Sequence, residues 1–224
     1  MEDSKVCPFS KLKSSKLKSS KKTPCPLVNA LINMGYLDQN DKWKKEEVQN
    51  ALKKIKMSNL TSFLLTNSVH NTLKKQNLPF TVKSLQKHNV IEHDGSIGRY
   101  DYDKGDHIRF NKKRFNLIYK YFKNKKKITL EEFTEYRYFL YKKSCKENKN
   151  FVFGARQYSI DLAETVAIFI LLSCGDLLEL KKLEKVFKEE TLDDVKINGI
   201  NFLNFSINYI KCVKYWMTAS FKNK

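Results

Sequence analysis

Apolar residues recur three and four places apart through most of this chain after residue 22, and no other feature limits its fold as strongly. Val48, Ala51, Leu52 and Ile55 mark one amphipathic helix, and Leu60, Phe63, Leu64 and Leu73 mark a second. Phe110, Phe115, Ile118 and Phe122 give a third. Thr129 followed by Glu132 is a capping box that opens a long helix through about Lys143. Tyr158 through Leu172 reads as a buried helix, and Leu177 to Phe187 and Ile200 to Trp216 supply two more. No run alternates in a way that demands a sheet. Seven glycines and four prolines in 224 residues are few breakers. The fold class is all-α, a single compact helical domain over residues 23–224.

Residues 1–22 read differently. Lys11-Leu12-Lys13-Ser14-Ser15 is repeated as Lys16-Leu17-Lys18-Ser19-Ser20. Such a segment has too little apolar surface to build a core, so a disordered basic N-terminal tail is expected. Contact with an anionic surface and simple solvation are both open to it. The net charge of +19 allows nucleic acid or an anionic membrane as partner, or only a lysine-rich surface. Arginine is scarce beside lysine, and the aromatics fall at core-like helical positions, so no specific nucleic acid is expected. Cys7, Cys25, Cys145, Cys174 and Cys212 lie far apart with no zinc spacing, which argues against a disulfide framework. Met1-Glu2-Asp3-Ser4-Lys5 lacks a signal peptide's apolar stretch, and the run from Thr165 to Cys174 is too short to span a membrane. A soluble, reduced, intracellular and cytoplasmic protein is the simplest expectation.

Three local features carry chemistry. Cys25 lies between Pro24 and Pro26, just before the apolar face Leu27, Val28, Ala30, Leu31 and Met34, with Gly35 at the helix end. A thiol at a helix N-terminus is biased toward thiolate, the form that attacks or binds metal. The alternative is a structural cysteine at a helix cap. Glu92-His93-Asp94-Gly95-Ser96 forms a loop in which carboxylates flank an imidazole, and Glu92 and Ser96 offer oxygens to a hard cation. An ordinary surface loop is the alternative there. Asp101 to Asp106 fails the calcium-loop template, because Gly105 and Asp106 fall at its fifth and sixth places. Glu164 stands in an apolar helix beside Leu162, Val166, Ala167, Ile168 and Phe169. A carboxylate there suits proton transfer, or else it forms a salt bridge to Arg156 or a lysine.

Taken in order, these segments resemble the haem-thiolate peroxidases, the family of chloroperoxidase and the unspecific peroxygenases. Pro24-Cys25-Pro26 with Asn29-Ala30-Leu31, Asn33 and Gly35-Tyr36-Leu37 looks like the family's proximal segment. Glu92 to Ser96, then Arg99, Asp101, Gly105-Asp106 and Phe110-Asn111, is similar to its cation and distal segment. Phe151, Phe153-Gly154 and Arg156-Gln157 lead to Glu164 as in the segment bearing the acid–base glutamate. Val186-Phe187 with Glu189-Glu190 resembles its late helix. The resemblance covers about residues 23–195, with spacings like those of the shorter branch.

That resemblance implies a helical domain around a buried haem b, with Cys25 as axial ligand and the amides of Leu27 and Val28 tuning the sulfur. It implies Glu164 as acid–base, His93 holding Glu164, and Asp94 orienting His93. It implies a Mg²⁺ or Mn²⁺ ion bound by Glu92, Ser96 and the His93 carbonyl, with Ile91 and Ala167 on the channel wall. The expected reaction uses hydrogen peroxide to form a ferryl species that oxidises or oxygenates a small organic substrate, or a halide. A haem-binding sensor or carrier without turnover, and a basic helical protein for nucleic acid or membrane surfaces, are the rival readings. Gly95 stands where the family usually has alanine and Gly98 where it often has serine, which predicts a looser loop.

Overall fold

The computed structural model describes residues 21–123 and 125–222. The expected tail therefore falls outside the described residues up to Ser20. Lys21 and Lys22, its last two residues, lie within them and already bond to the body, Lys21 to Asn40 and Lys22 to Glu190.

The described residues form a mainly helical domain. The helices are α1 (Pro26–Asn33), α2 (Lys45–Lys54), α3 (Asn59–Lys75), the short α4 (Val82–Leu85), α5 (Lys112–Phe115), α6 (Leu117–Tyr121), α7 (Leu130–Glu147), α8 (Ala155–Leu172), α9 (Leu180–Glu189) and α10 (Phe202–Lys222). Their ends follow local chemistry. Thr129 Oγ1 accepts from Glu132 N, and the Glu132 carboxylate accepts from Thr129 N at 2.9 Å, which closes the predicted capping box of α7. At α8 the Gln157 side chain accepts from Gly154 N at 3.1 Å. Helix α10 packs on α7 and α8 through Cys212, Trp216 and Ala219.

Three expectations change. The segment Leu177–Glu179, read above as helix, is strand β3. It pairs antiparallel with β1 (Lys127–Ile128) and β2 (Ser173–Cys174) in the order β1-β3-β2. Cys174 faces Leu177 across a two-residue turn in which Gly175 takes φ +60°, a hairpin geometry that glycine permits without strain. This small sheet ties the end of α8 to the starts of α7 and α9. The helix expected from Phe110 to Phe122 is broken into α5 and α6 at Asn116. Helix α3 is turned relative to its pattern: Thr61, Ser62, Thr66 and Leu73 face inward, while Leu60, Phe63 and Leu64 are exposed. Small polar side chains let α3 lie close against α2, and that docking decides its orientation.

The chain returns to α3 late. Met57 and Ile200 form a parallel bridge, with Ser58 N donating to Ile200 O at 2.8 Å and Ile200 N to Lys56 O at 3.0 Å. Among the described residues no helix is long and apolar enough to cross a membrane. Cys25, Cys145, Cys174 and Cys212 are free thiols.

Gly98 does not loosen its loop. A Cβ there would lie 2.8 Å from Phe187 Cδ1 and 3.3 Å from Phe110 Cδ2, so the two rings close on bare backbone. A Gly98→Ser chain should lose about 1–3 kcal/mol from this overpacking. The urea midpoint reads that loss, and an unchanged midpoint would mean that the rings move aside freely.

Candidate active site

The site is assembled around a segment with little regular structure. Cys25 occupies the N-cap of α1 with extended backbone, φ −92° and ψ 115°. Thr23 and Asn29 clasp it. Thr23 N donates to Asn29 Oδ1 at 2.8 Å, Asn29 Nδ2 donates to Thr23 O at 2.8 Å, and Cys25 N donates to Thr23 Oγ1 at 3.2 Å. The amides of Val28 and Leu27 point at the Cys25 sulfur. Even so, burial outweighs them and raises the thiol above its ordinary value, with the nearby Glu164 charge adding to the rise. The amides at the helix N-terminus thus favour the thiolate, and burial opposes them.

Glu190 anchors this segment from the far end of the chain. It follows α9 in left-handed conformation, φ 52° and ψ 46°, with its side chain buried. Its carboxylate accepts from Asn29 Nδ2 at 2.9 Å, from Arg99 Nη2 at 3.2 Å and from the Lys22 ammonium. Its carbonyl accepts from Asn33 Nδ2 at 2.8 Å. Arg99 also donates from Nε to Ile108 O at 2.7 Å, while its buried Nη1 has no hydrogen-bond partner among the described residues. The charge of Arg99 lowers the pKa of both Cys25 and Glu164, which places it near both.

The loop after α4 carries Glu92, His93 and Asp94, all buried. His93 Nδ1 lies 2.7 Å from the main-chain oxygen of Asp94. A carbonyl only accepts, so Nδ1 carries the proton, and Nε2 faces the carboxylates of Asp161 at 3.6 Å and Glu164 at 3.7 Å. Asp94 thus orients His93 through its backbone rather than its side chain. The Asp94 carboxylate clasps the loop by accepting from Tyr102 N, Val152 N and Asn148 Nδ2, each at 3.3 Å.

Two groups that the sequence reading missed complete the cluster. Arg137 on α7, with a fully buried side chain, donates to Asp161 and, at 3.1 Å, to Glu164. Glu164 is therefore paired, but not with Arg156, whose guanidinium donates to Asn89 O, Val90 O and Thr72 Oγ1. Arg137 had a legible signal, a cation amid Tyr136, Tyr138 and Phe139 on a helix face otherwise given to the core. Asp161 sits one turn before Glu164 on α8.

The electrostatics follow from this pairing. Burial pushes the Glu164 carboxyl up, but Arg137 foremost, then His93 and Arg99, pull it down to about 2. Burial pulls the His93 imidazole down, but Glu164 and Asp161 outweigh it and raise it. Glu164 is thus an ionised carboxylate whose Oε2 is held by Arg137 and faces His93 Nε2. Oε1 takes no hydrogen bond among the described residues, on a side chain 29% exposed.

Leu27, Val28, Ile91 and Ala167 are half-buried apolar residues packed on the core. Two groups of metal-competent side chains are present, His88 with Glu92 and Asp94, and His93 with Asp161 and Glu164. Both carboxylates of the second already pair with Arg137. In the first, Glu92 Oε2 lies 2.8 Å from His88 Nδ1, and the buried Glu92 Oε1 has no hydrogen-bond partner among the described residues. The structure does not bring Ser96 to Glu92 through a hydrogen bond. Its carbonyl accepts from Arg114 Nε at 3.2 Å.

Residues 15–206 match the model of one protein family, described as peroxidase, family 2. The match covers most of the 224 residues, and the chain belongs to this family. It is on that ground a peroxidase, an oxidoreductase that uses peroxide. No curated protein matches the sequence.

Replacing Arg137 with leucine would leave Asp161 and Glu164 buried together without their cation. The expected loss is about 3–5 kcal/mol at neutral pH. The deficit should shrink in acid. A carboxyl held at about 2 stabilises the fold fully above its ordinary value of 4.5 and loses that contribution as pH falls toward 2. Urea unfolding of both chains at pH 7 and near the acid limit measures this difference, and a deficit independent of pH would refute the pairing.

Proposed function

We propose that the chain is a haem-thiolate peroxidase or peroxygenase with Cys25 as axial ligand and Glu164 as the acid–base group. One observation carries the reading. A helix-cap thiol and an ionised, cation-held carboxylate from distant parts of the chain feel each other's charge, with Arg99 near both. The residues fit a haem b. Two amides are aimed at the sulfur, half-buried apolar Leu27, Val28, Ile91 and Ala167 stand ready to cover a macrocycle, and Arg99 Nη1 is a buried donor with no acceptor, suited to a carboxylate. When bound, haem supplies the iron that cleaves the O–O bond of peroxide and oxidises a small organic substrate or a halide, and a thiolate ligand favours that cleavage.

The chain's own residues do the rest. The Val28 and Leu27 amides stabilise negative charge on the Cys25 sulfur. Glu164 takes a proton from hydrogen peroxide at Oε1 and returns it to the departing oxygen. His93 and Arg137 keep Oε2 fixed while Oε1 works. His93 is itself locked by the Asp94 carbonyl. A Mg²⁺ or Mn²⁺ ion would suit Glu92, because among the described residues the buried Oε1 of this carboxylate has no hydrogen-bond partner. The His93 carbonyl and Ser96 are its proposed further ligands, and His88 is the neighbour it would displace.

The absorption spectrum of the reduced, carbon-monoxide-treated protein tests the ligand. A strongly red-shifted Soret band is expected, and it should vanish in Cys25→Ala. A band at the histidine-ligated position would remove Cys25 from the iron. In Glu164→Gln, peroxide turnover should fall by about 10²–10⁴-fold with the band unchanged. Full turnover would end the acid–base assignment. A thiolate band without turnover in the unmodified protein would identify a haem carrier instead. Glu92→Gln, or a chelator, should weaken haem retention while leaving the helical content unchanged.

A further inference from the structure

The outer face of α10 carries Leu203, Ile207, Ile210, Met217 and Phe221 in alternating steps of four and three, with Lys214 at the one remaining place. Leu203 and Ile210 are each 69% exposed and Phe221 is 66% exposed. The opposite face of the helix, Cys212, Trp216 and Ala219, is the one that packs on α7 and α8. The Met57–Ile200 bridge ties the start of α10 to the start of α3, where Leu60, Phe63 and Leu64 also face outward. The two helices thus start from neighbouring positions, each with exposed apolar side chains. Single exposed leucines need no explanation, but five apolar side chains on one helix face, broken only by Lys214, mark an interaction site.

Charge selects the partner. Neither α3 nor α10 contains an aspartate or glutamate, and none follows Asp194 in the chain. Lys211 and Lys214 are exposed beside the stripe, with no acidic partner among the described residues. Lys222, at the far end, is paired with Glu135. A second copy seated on the stripe would bring lysines together with no flanking acid to pair them, between two chains each of net charge +19. An anionic bilayer satisfies both features: apolar side chains enter the acyl boundary while lysines meet the headgroups.

We propose that α10, with the first turns of α3, seats this protein on an anionic lipid surface, the helix lying in the plane of the interface. This inference is independent of the haem assignment.

Co-sedimentation of the full-length protein with vesicles of phosphatidylcholine, or of phosphatidylcholine mixed with phosphatidylserine, tests it. Binding to the mixed vesicles that weakens with salt is expected. Leu203→Glu with Ile210→Glu should weaken it on the order of tenfold or more. Lys211→Ser with Lys214→Ser should weaken it on the order of tenfold without touching the apolar stripe, which covers the case of a misfolded glutamate variant. Absence of binding to the mixed vesicles overturns the proposal. So does undiminished binding by both variants, which would move the contact to another basic segment. A dimer that either variant converts to monomer would assign the face to a second copy.

Discussion

A single buried carboxylate joins the parts of this protein that lie farthest apart in sequence. Glu190 receives Lys22, Asn29 and Arg99 at once, so the segment leading into the Cys25 cap, the first helix and the loop after α4 share one anchor. A carboxylate taken from water is costly unless its oxygens are filled, and here two cations and an amide fill them. The left-handed backbone at Glu190 is part of the same solution, since it turns the chain at the end of α9 and lets the main-chain carbonyl reach Asn33. The cysteine itself contributes little to this geometry. Its position is set by neighbours whose hydrogen bonds do not involve sulfur.

A second charge cluster is built by the same rule on the other side of the site. Arg137 brings one buried cation to two carboxylates of α8, and His93 approaches the same pair from the loop. The two clusters differ in completeness. Around Glu190 the carboxylate is saturated, and the unfilled atom is Arg99 Nη1. Around Arg137 the guanidinium keeps unfilled Nε and Nη1 atoms, and Glu164 keeps an oxygen free. Among the described residues, Arg99, Arg137, Asp161 and Glu92 each keep a buried polar atom without a hydrogen-bond partner, as do Ser62, Thr66 and Tyr136 elsewhere. In a buried network such an atom is a position where a ligand rather than more protein can complete the set.

Much of this was legible in the residues. Helical periodicity located most of the helices, and the Thr129–Glu132 spacing fixed the start of α7 to the residue. Pro26 and Gly35 bracketed α1. What the pattern could not supply was direction. The apolar residues of α3 obey the helical period yet face outward, because periodicity records which residues share a face and leaves open where that face points. The small sheet was hidden for a different reason: strands of two or three residues are too short to alternate. Glu164 was legible as a misplaced carboxylate, but its pairing with Arg137 was not, because the two lie on different helices and pairing across helices leaves no spacing to read. Gly98 looked like a relaxed position until its neighbours, Phe110 and Phe187, were in place.

The bond between His93 Nδ1 and the Asp94 main chain has a further meaning. Every residue type has a carbonyl at that place, so the imidazole's tautomer does not depend on which side chain position 94 carries. Position 94 thus serves the site twice, its main chain selecting the ring nitrogen and its carboxylate holding the loop that places that main chain.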